Sequence, residues 1–170
     1  KFHFLYVFKG FFKLNKTYYF YHKKWYAAPS LRQSQILKSY VTSNNLYFHR
    51  EEAPNYFLKK ISKHGSVILD IGGNLGYSAL HYSRMLEKNS SGICFSFEPV
   101  SSNFSKMIFN FGHIKNIFFL KFGISDNAKI LKFGLPDFFD ESDEYNSGLY
   151  TSKNVNSNFF AEECRVFSLD

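Results

Sequence analysis

The 170 residues make one domain of ordinary size, large enough to build a core without help from disulfides or a metal. A content of 45% apolar and 21% charged residues excludes a disordered or collagen-like chain, and no apolar run reaches the roughly 18 residues of a membrane-spanning helix. Cys94 and Cys164 are too few for a disulfide framework or a cysteine zinc site, so a reducing, cytoplasmic compartment is expected, and the net charge of +7 is concentrated in residues 1–60, which carry 11 basic and 2 acidic groups.

Residues 1–60 read as a basic, aromatic N-terminal segment, mostly helical, and residues 61–170 as the beginning of a sheet-and-helix domain. Lysines interleave with Phe and Tyr from Lys1 to Tyr26. That texture suits either aromatic packing on the following domain with ammonium groups left in water, or a stacking and electrostatic surface for nucleic acid or an anionic membrane. Packing is the favoured reading. A weak helical period runs over residues 31–41. A second helix is expected near Pro54, with Tyr56, Phe57 and Ile61, ending at His64-Gly65.

The texture changes at Ser66. Val67-Ile68-Leu69-Asp70-Ile71 between Gly65 and Gly72-Gly73 is the pattern of a strand buried on both faces. Helical periodicity over 75–87 leads to a second strand, Ile93 to Phe97, closed by Glu98-Pro99. The next helix, over 102–111, recurs through Phe104, Met107, Ile108 and Phe111, with Ser101 or Ser102 as its cap and Gly112 at its end. Residues 117–122 form a third strand. Two βαβ units at this spacing predict an open parallel sheet with right-handed crossovers. Beyond Gly123, residues 129–133 and 163–168 are expected to pair as a hairpin-like extension, with an acidic loop (Asp137, Asp140, Glu141, Asp143, Glu144) between them.

Asp70-Ile71-Gly72-Gly73-Asn74-Leu75-Gly76 lies between a strand and a helix, where open α/β sheets bind ligands. Glycines let the backbone approach a ligand closely, and free N–H groups at the helix start attract an anionic group. Glu98, at the end of the second strand, can accept ribose hydroxyls. The dinucleotide fingerprint would need glycine at position 70, where Asp70 stands. D-x-G-x-N-x-G suits a ligand that carries an amine as well as a carboxylate, and S-adenosylmethionine carries both, with a ribose for Glu98.

These segments, with Tyr77-Ser78, Phe97-Glu98-Pro99, Asn110 and Gly123-Ile124-Ser125-Asp126, resemble the FkbM family of S-adenosylmethionine-dependent methyltransferases over about residues 60–170. The family's usual alanine is replaced by Gly73, an exchange expected to be harmless. The resemblance implies a Rossmann-like class I methyltransferase sheet, here incomplete: three core strands plus the hairpin-like extension. Val166-Phe167-Ser168-Leu169-Asp170 resembles the stretch before the family's fourth core strand, so the chain reads as a fragment truncated there and expected to transfer no methyl group alone. By the same resemblance Asp70, Gly72, Gly73, Asn74 and Gly76 hold the methionine end, Glu98 the ribose, and Ser125 with Asp126 the adenine side. The reaction implied is O-methylation of a hydroxyl on a sugar, lipid or secondary metabolite, so the partner is a small-molecule or glycan acceptor. No catalytic base can be nominated.

Two other readings compete. A nicotinamide-dependent oxidoreductase is disfavoured by the glycine spacing, and a basic nucleic-acid-binding module without catalysis rests on the leader alone. The six histidines never take a metal-ligand spacing, and a nucleophile elbow has no match. Cys94, in mid-strand, reads as an inert buried thiol.

Overall fold

A computed structural model describes residues 7–9, 17–21, 24–28, 58, 60–89, 91–134 and 162–170. Three short strands occupy the described part of the leader: β1 (Val7–Lys9), β2 (Thr17–Tyr21) and β3 (Lys24–Ala28). They pair antiparallel in the order β1-β2-β3, with Tyr21 opposite Lys24. The helical expectation for residues 1–60 therefore fails at these positions. Runs such as Thr-Tyr-Tyr-Phe-Tyr and Lys-Trp-Tyr-Ala-Ala are dense in aromatic residues, which favour a pleated surface over a helix. The helix expected over 31–41 lies outside the described residues. The one expected near Pro54 is described only from Leu58, where the Ser62 amide donates to the Leu58 carbonyl at 2.9 Å. Gly65 ends that segment with φ +76°.

The central sheet is β4 (Val67–Ile71), β5 (Ile93–Phe97) and β6 (Ile117–Leu120), parallel and in that order. Its register sets Asp70 opposite Ser96, and Ser96 opposite Phe119. Between the strands run α1 (Tyr77–Asn89) and α2 (Ser101–Phe111). Crossovers of one hand stepping in one direction place both helices on the same face. The inward residues of β4 and β5 accordingly meet them. Ile68, Cys94 and Ile117 pack with Ala79, Met85 and Leu86 in one buried cluster. Each large apolar side chain there contributes about 1.5–3 kcal/mol by leaving water. Ser83 of α1 donates its hydroxyl to the Asn116 side-chain oxygen at 2.6 Å, and the Asn116 amide returns a bond to the Ser83 carbonyl at 3.1 Å, pinning the helix to the start of β6.

The opposite face of the sheet is apolar and open. Val67, Leu69, Ile71 and Phe118 are all about half-exposed, and Phe95 stacks on Phe118 with ring centroids 5.2 Å apart. Among the described residues β4 has a strand on one side only. No helix of the described residues is long and apolar enough to cross a membrane.

The third strand is shorter than the expected 117–122. The chain breaks at Lys121-Phe122 and re-forms as β7 (Gly123–Ile124), which belongs to a second small sheet with β8 (Lys129–Phe133) and β9 (Glu162–Phe167). The expected pairing of 129–133 with 163–168 is present as antiparallel β8 and β9, but β9 sits in the middle, parallel to β7 on its other edge. A Cβ on Gly123 would lie 2.9 Å from Val166, so glycine permits this approach. The acidic loop from Asp137 lies outside the described residues.

Helix α2 departs from its sequence reading in three ways. Its buried residues are Asn103, Lys106, Met107, Asn110 and Phe111, while Ile108 is exposed. The helix is thus rotated so that polar side chains with tertiary partners turn inward. Gly112 ends it in the right-handed region, with φ −60°. Neither serine supplies an N-terminal side-chain cap: the cap position is Val100. Instead Glu162, from β9, accepts the Ser101 amide at 2.8 Å and also takes the Ser101 hydroxyl, while Lys121 lies 3.7 Å from the same carboxylate. A carboxylate at a helix N-terminus satisfies an orphan donor and complements the dipole. Glu162→Ala should cost about 1 kcal/mol, the usual worth of a cap, in urea unfolding. Ser102→Ala should be neutral or stabilising in the same assay, because the buried Ser102 hydroxyl has no partner among the described residues.

Candidate functional site

At the carboxyl end of β4 the chain turns through Gly72 (φ +86°), Asn74 (φ +51°) and Gly76 (φ +87°) before α1 begins. The loop folds back on the end of β5: the Gly72 and Gly73 amides both donate to the Phe97 carbonyl, at 3.0 and 2.8 Å. Gly76 is held against α2, where a Cβ would lie 2.8 Å from the Phe111 ring and 2.9 Å from Met107. Its positive φ and this contact each require glycine.

Two buried carboxylates flank the loop, Asp70 and Glu98. Glu98 accepts the Asn74 amide on Oε2 at 2.8 Å and the Val100 amide on Oε1 at 2.9 Å. The Asn103 side chain adds a third hydrogen bond. Burial raises the Glu98 carboxyl above its ordinary range; the bonds from Val100, Asn74 and Asn103 oppose that shift, and the nearby Asp70 charge adds to it. Asp70 accepts the Ser96 hydroxyl on Oδ2 at 2.7 Å. The Cys94 thiol, on the same face of β5, is pushed up to about 12 by burial and then by the Asp70 charge, which keeps it protonated and inert.

Glycine at position 73 is more than a tolerated stand-in for alanine. A Cβ there would sit 2.0 Å from Ser96 Oγ and 3.3 Å from Asp70 Oδ2. The absent methyl group makes room for the Ser96 hydroxyl. Asn74 Oδ1 is a buried acceptor with no donor among the described residues.

Asp70, Gly72, Gly73, Asn74, Gly76 and Glu98 are thus brought together. Ser125 and Asp126 lie on a different turn. The Ser125 amide donates to the Phe167 carbonyl at 2.9 Å, and its hydroxyl donates to Asp126 Oδ1 at 2.8 Å. The exposed Asp126 carboxylate is paired with Lys129 at 2.6 Å and drawn down to about 2, first by that hydrogen bond and then by Ser125. These bonds tie the pair to β8 and β9 and not to the glycine loop. Ser96 and Asn103 join the site without standing out in the sequence. Ser96 had one legible signal, a polar residue at an inward position of a buried strand; Asn103 had none beyond its place five residues after Glu98.

Fold and loop together define a class, an open parallel α/β sheet with a glycine-rich turn after its first core strand and an acid after its second. No protein-family model matches the chain, and no curated protein does. Among solved structures, the crystal structure of M. jannaschii TYW2 in complex with AdoMet is similar at 14% identity and a TM-score of 0.35. The match covers 68% of this chain and 48% of that one, so the chain spans about half of its length.

Gly73→Ala should overpack the site and destabilise the protein by about 1–3 kcal/mol, read as a lowered midpoint of thermal or urea unfolding.

Proposed function

We propose that the chain is the cofactor-binding part of an S-adenosylmethionine-dependent methyltransferase of the FkbM kind, acting on a hydroxyl oxygen of a sugar, lipid or secondary metabolite. The observation that carries this reading is the junction of the glycine turn with Glu98. Asn74 donates its amide to the acid while its buried Oδ1 awaits a donor. An α-ammonium is such a donor; the Gly72, Gly73 and Asn74 amides are themselves engaged, by the Phe97 carbonyl and by Glu98.

Asp70, Gly72, Gly73, Asn74 and Gly76 would hold the amino-acid end, Glu98 the ribose, and Ser125 with Asp126 the adenine side. When bound, the cofactor supplies a methyl group activated on a sulfonium. The chain's own residues bind and orient. Asp70 would contribute negative charge toward the ammonium, and Glu98, its carboxylate already fixed by Asn74, Val100 and Asn103, would accept a hydrogen bond from a ribose hydroxyl at its remaining acceptor site. Holding an acceptor in line with the methyl group supplies much of the acceleration in such a transfer. No described residue is assigned as the base that would take the acceptor's proton.

The test is titration calorimetry with S-adenosylhomocysteine. Glu98→Ala should lose about 1.5–3 kcal/mol of binding, the worth of hydrogen bonds to a charged group, while still unfolding cooperatively. Equal affinity of wild type and variant would overturn the assignment of Glu98, and binding of NADH in place of S-adenosylhomocysteine would overturn the cofactor.

The pH dependence has a defined sign. Because the Glu98 carboxyl is raised in the folded chain, its contribution to stability is fully present below the unfolded carboxylate range and is lost as pH rises through the raised value. Ligand binding needs the ionised form and runs the other way. Affinity for S-adenosylhomocysteine should therefore strengthen as pH rises through the raised value. Calorimetry of wild type across that range checks this, and Glu98→Ala should lack the dependence.

A further inference from the structure

We propose that Ser96 is a positioning residue for Asp70, orienting the carboxylate that meets the amino-acid end of the ligand; this rests on the cofactor reading above. Ser96 stands in the middle strand of the sheet, directly across the parallel ladder from Asp70, and is fully buried. Its hydroxyl donates to Asp70 Oδ2 at 2.7 Å and lies 3.6 Å from Met107 Sδ. The thioether is a poor acceptor, so the carboxylate is the hydroxyl's strong partner.

The neighbouring loop is built around this bond. Glycine at position 73 leaves open the volume in which the Ser96 oxygen sits, since a Cβ there would come within 2.0 Å of it. A hydroxyl placed this tightly has little rotational freedom. With Oδ2 accepting from the held Ser96 hydroxyl, turning the Asp70 carboxylate about its last bond would break that hydrogen bond, which uses one of a carboxylate's roughly four acceptor sites. The Glu98 charge stands close enough to be felt at Asp70. A donor on Asp70 therefore also offsets the repulsion between two buried acids.

The roles of Ser96 and Glu98 separate by ligand. S-adenosylhomocysteine carries ribose, adenine and the amino-acid end; methylthioadenosine carries the first two only. In calorimetry on the full chain, Ser96→Ala should bind S-adenosylhomocysteine about tenfold more weakly, the scale of a lost hydrogen bond to a charged group. It should bind methylthioadenosine as wild type does. The double variant Gly73→Ala/Ser96→Ala places a methyl group in the vacated volume. It should unfold at a higher denaturant concentration than Gly73→Ala alone, yet keep the tenfold loss, because packing is restored and the donor is not.

Two results would overturn the inference while leaving the cofactor reading intact. One is Ser96→Ala binding S-adenosylhomocysteine like wild type; the other is equal losses for both ligands, which mark a merely structural serine. Wild type that binds neither ligand would overturn the cofactor reading and this inference together.

Discussion

The Glu98 carboxylate is the point at which three separate pieces of the chain meet. It takes the amide of Asn74 from the glycine turn, the amide of Val100 ahead of α2, and a hydrogen bond from Asn103 inside that helix. Burying an unpaired carboxylate costs several kcal/mol, so those donors have to be present whenever the acid is inside. The glycine turn follows the end of β4, and Glu98 follows the end of β5. Their bond therefore links the ends of two neighbouring parallel strands beyond the last rung of the ladder. The Gly72 and Gly73 amides on the Phe97 carbonyl reinforce the same seam.

The β9 strand supplies a second tie of the same physical kind. Glu162 accepts the Ser101 amide and hydroxyl, so the first turn of α2 is held between two carboxylates, Glu98 at Val100 and Glu162 at Ser101. A helix N-terminus exposes orphan N–H groups and a partial positive charge. Two acids satisfy both needs there, one from just before the helix and one from 61 residues later. The small sheet of β7, β9 and β8 is thereby fastened to the domain by more than the ring contacts linking Phe122 to Phe97 and Phe167.

The two faces of the central sheet differ sharply. One carries Ile68, Cys94 and Ile117 under α1, and Asp70 and Ser96 beside the glycine turn. The other presents Val67, Leu69, Ile71 and Phe118 in an exposed apolar strip, although parallel sheets are ordinarily covered on both sides. The helices can cover one face only, because both crossovers step the same way.

What the sequence by itself determined was the βαβαβ order, the parallel sheet and the position of the glycine turn. These follow from local signals: β-branched runs between glycines, helical periodicity between the runs, and glycines where the backbone takes positive φ. Asp70, the turn and Glu98 were legible for the same reason, since strand ends in open sheets are where such residues gather. Only the tertiary structure decided the rest. The first turn of α2 is capped by Glu162 and not by its own serines, because the helix starts one residue early, at Ser101 after Val100, and the Ser101 amide meets a carboxylate arriving from β9. The buried side of α2 includes Asn103, Lys106 and Asn110, because a partner such as Glu98 for Asn103 makes an inward polar group tolerable where hydropathy alone would point it outward. At its described positions before residue 30 the leader forms strands, because aromatic runs such as Thr17–Tyr21 find antiparallel partners. Glycine at position 73 is required for a reason no reading along the chain contains. The atom that would collide with its methyl group, Ser96 Oγ, belongs to another strand and arrives there only when the sheet has formed.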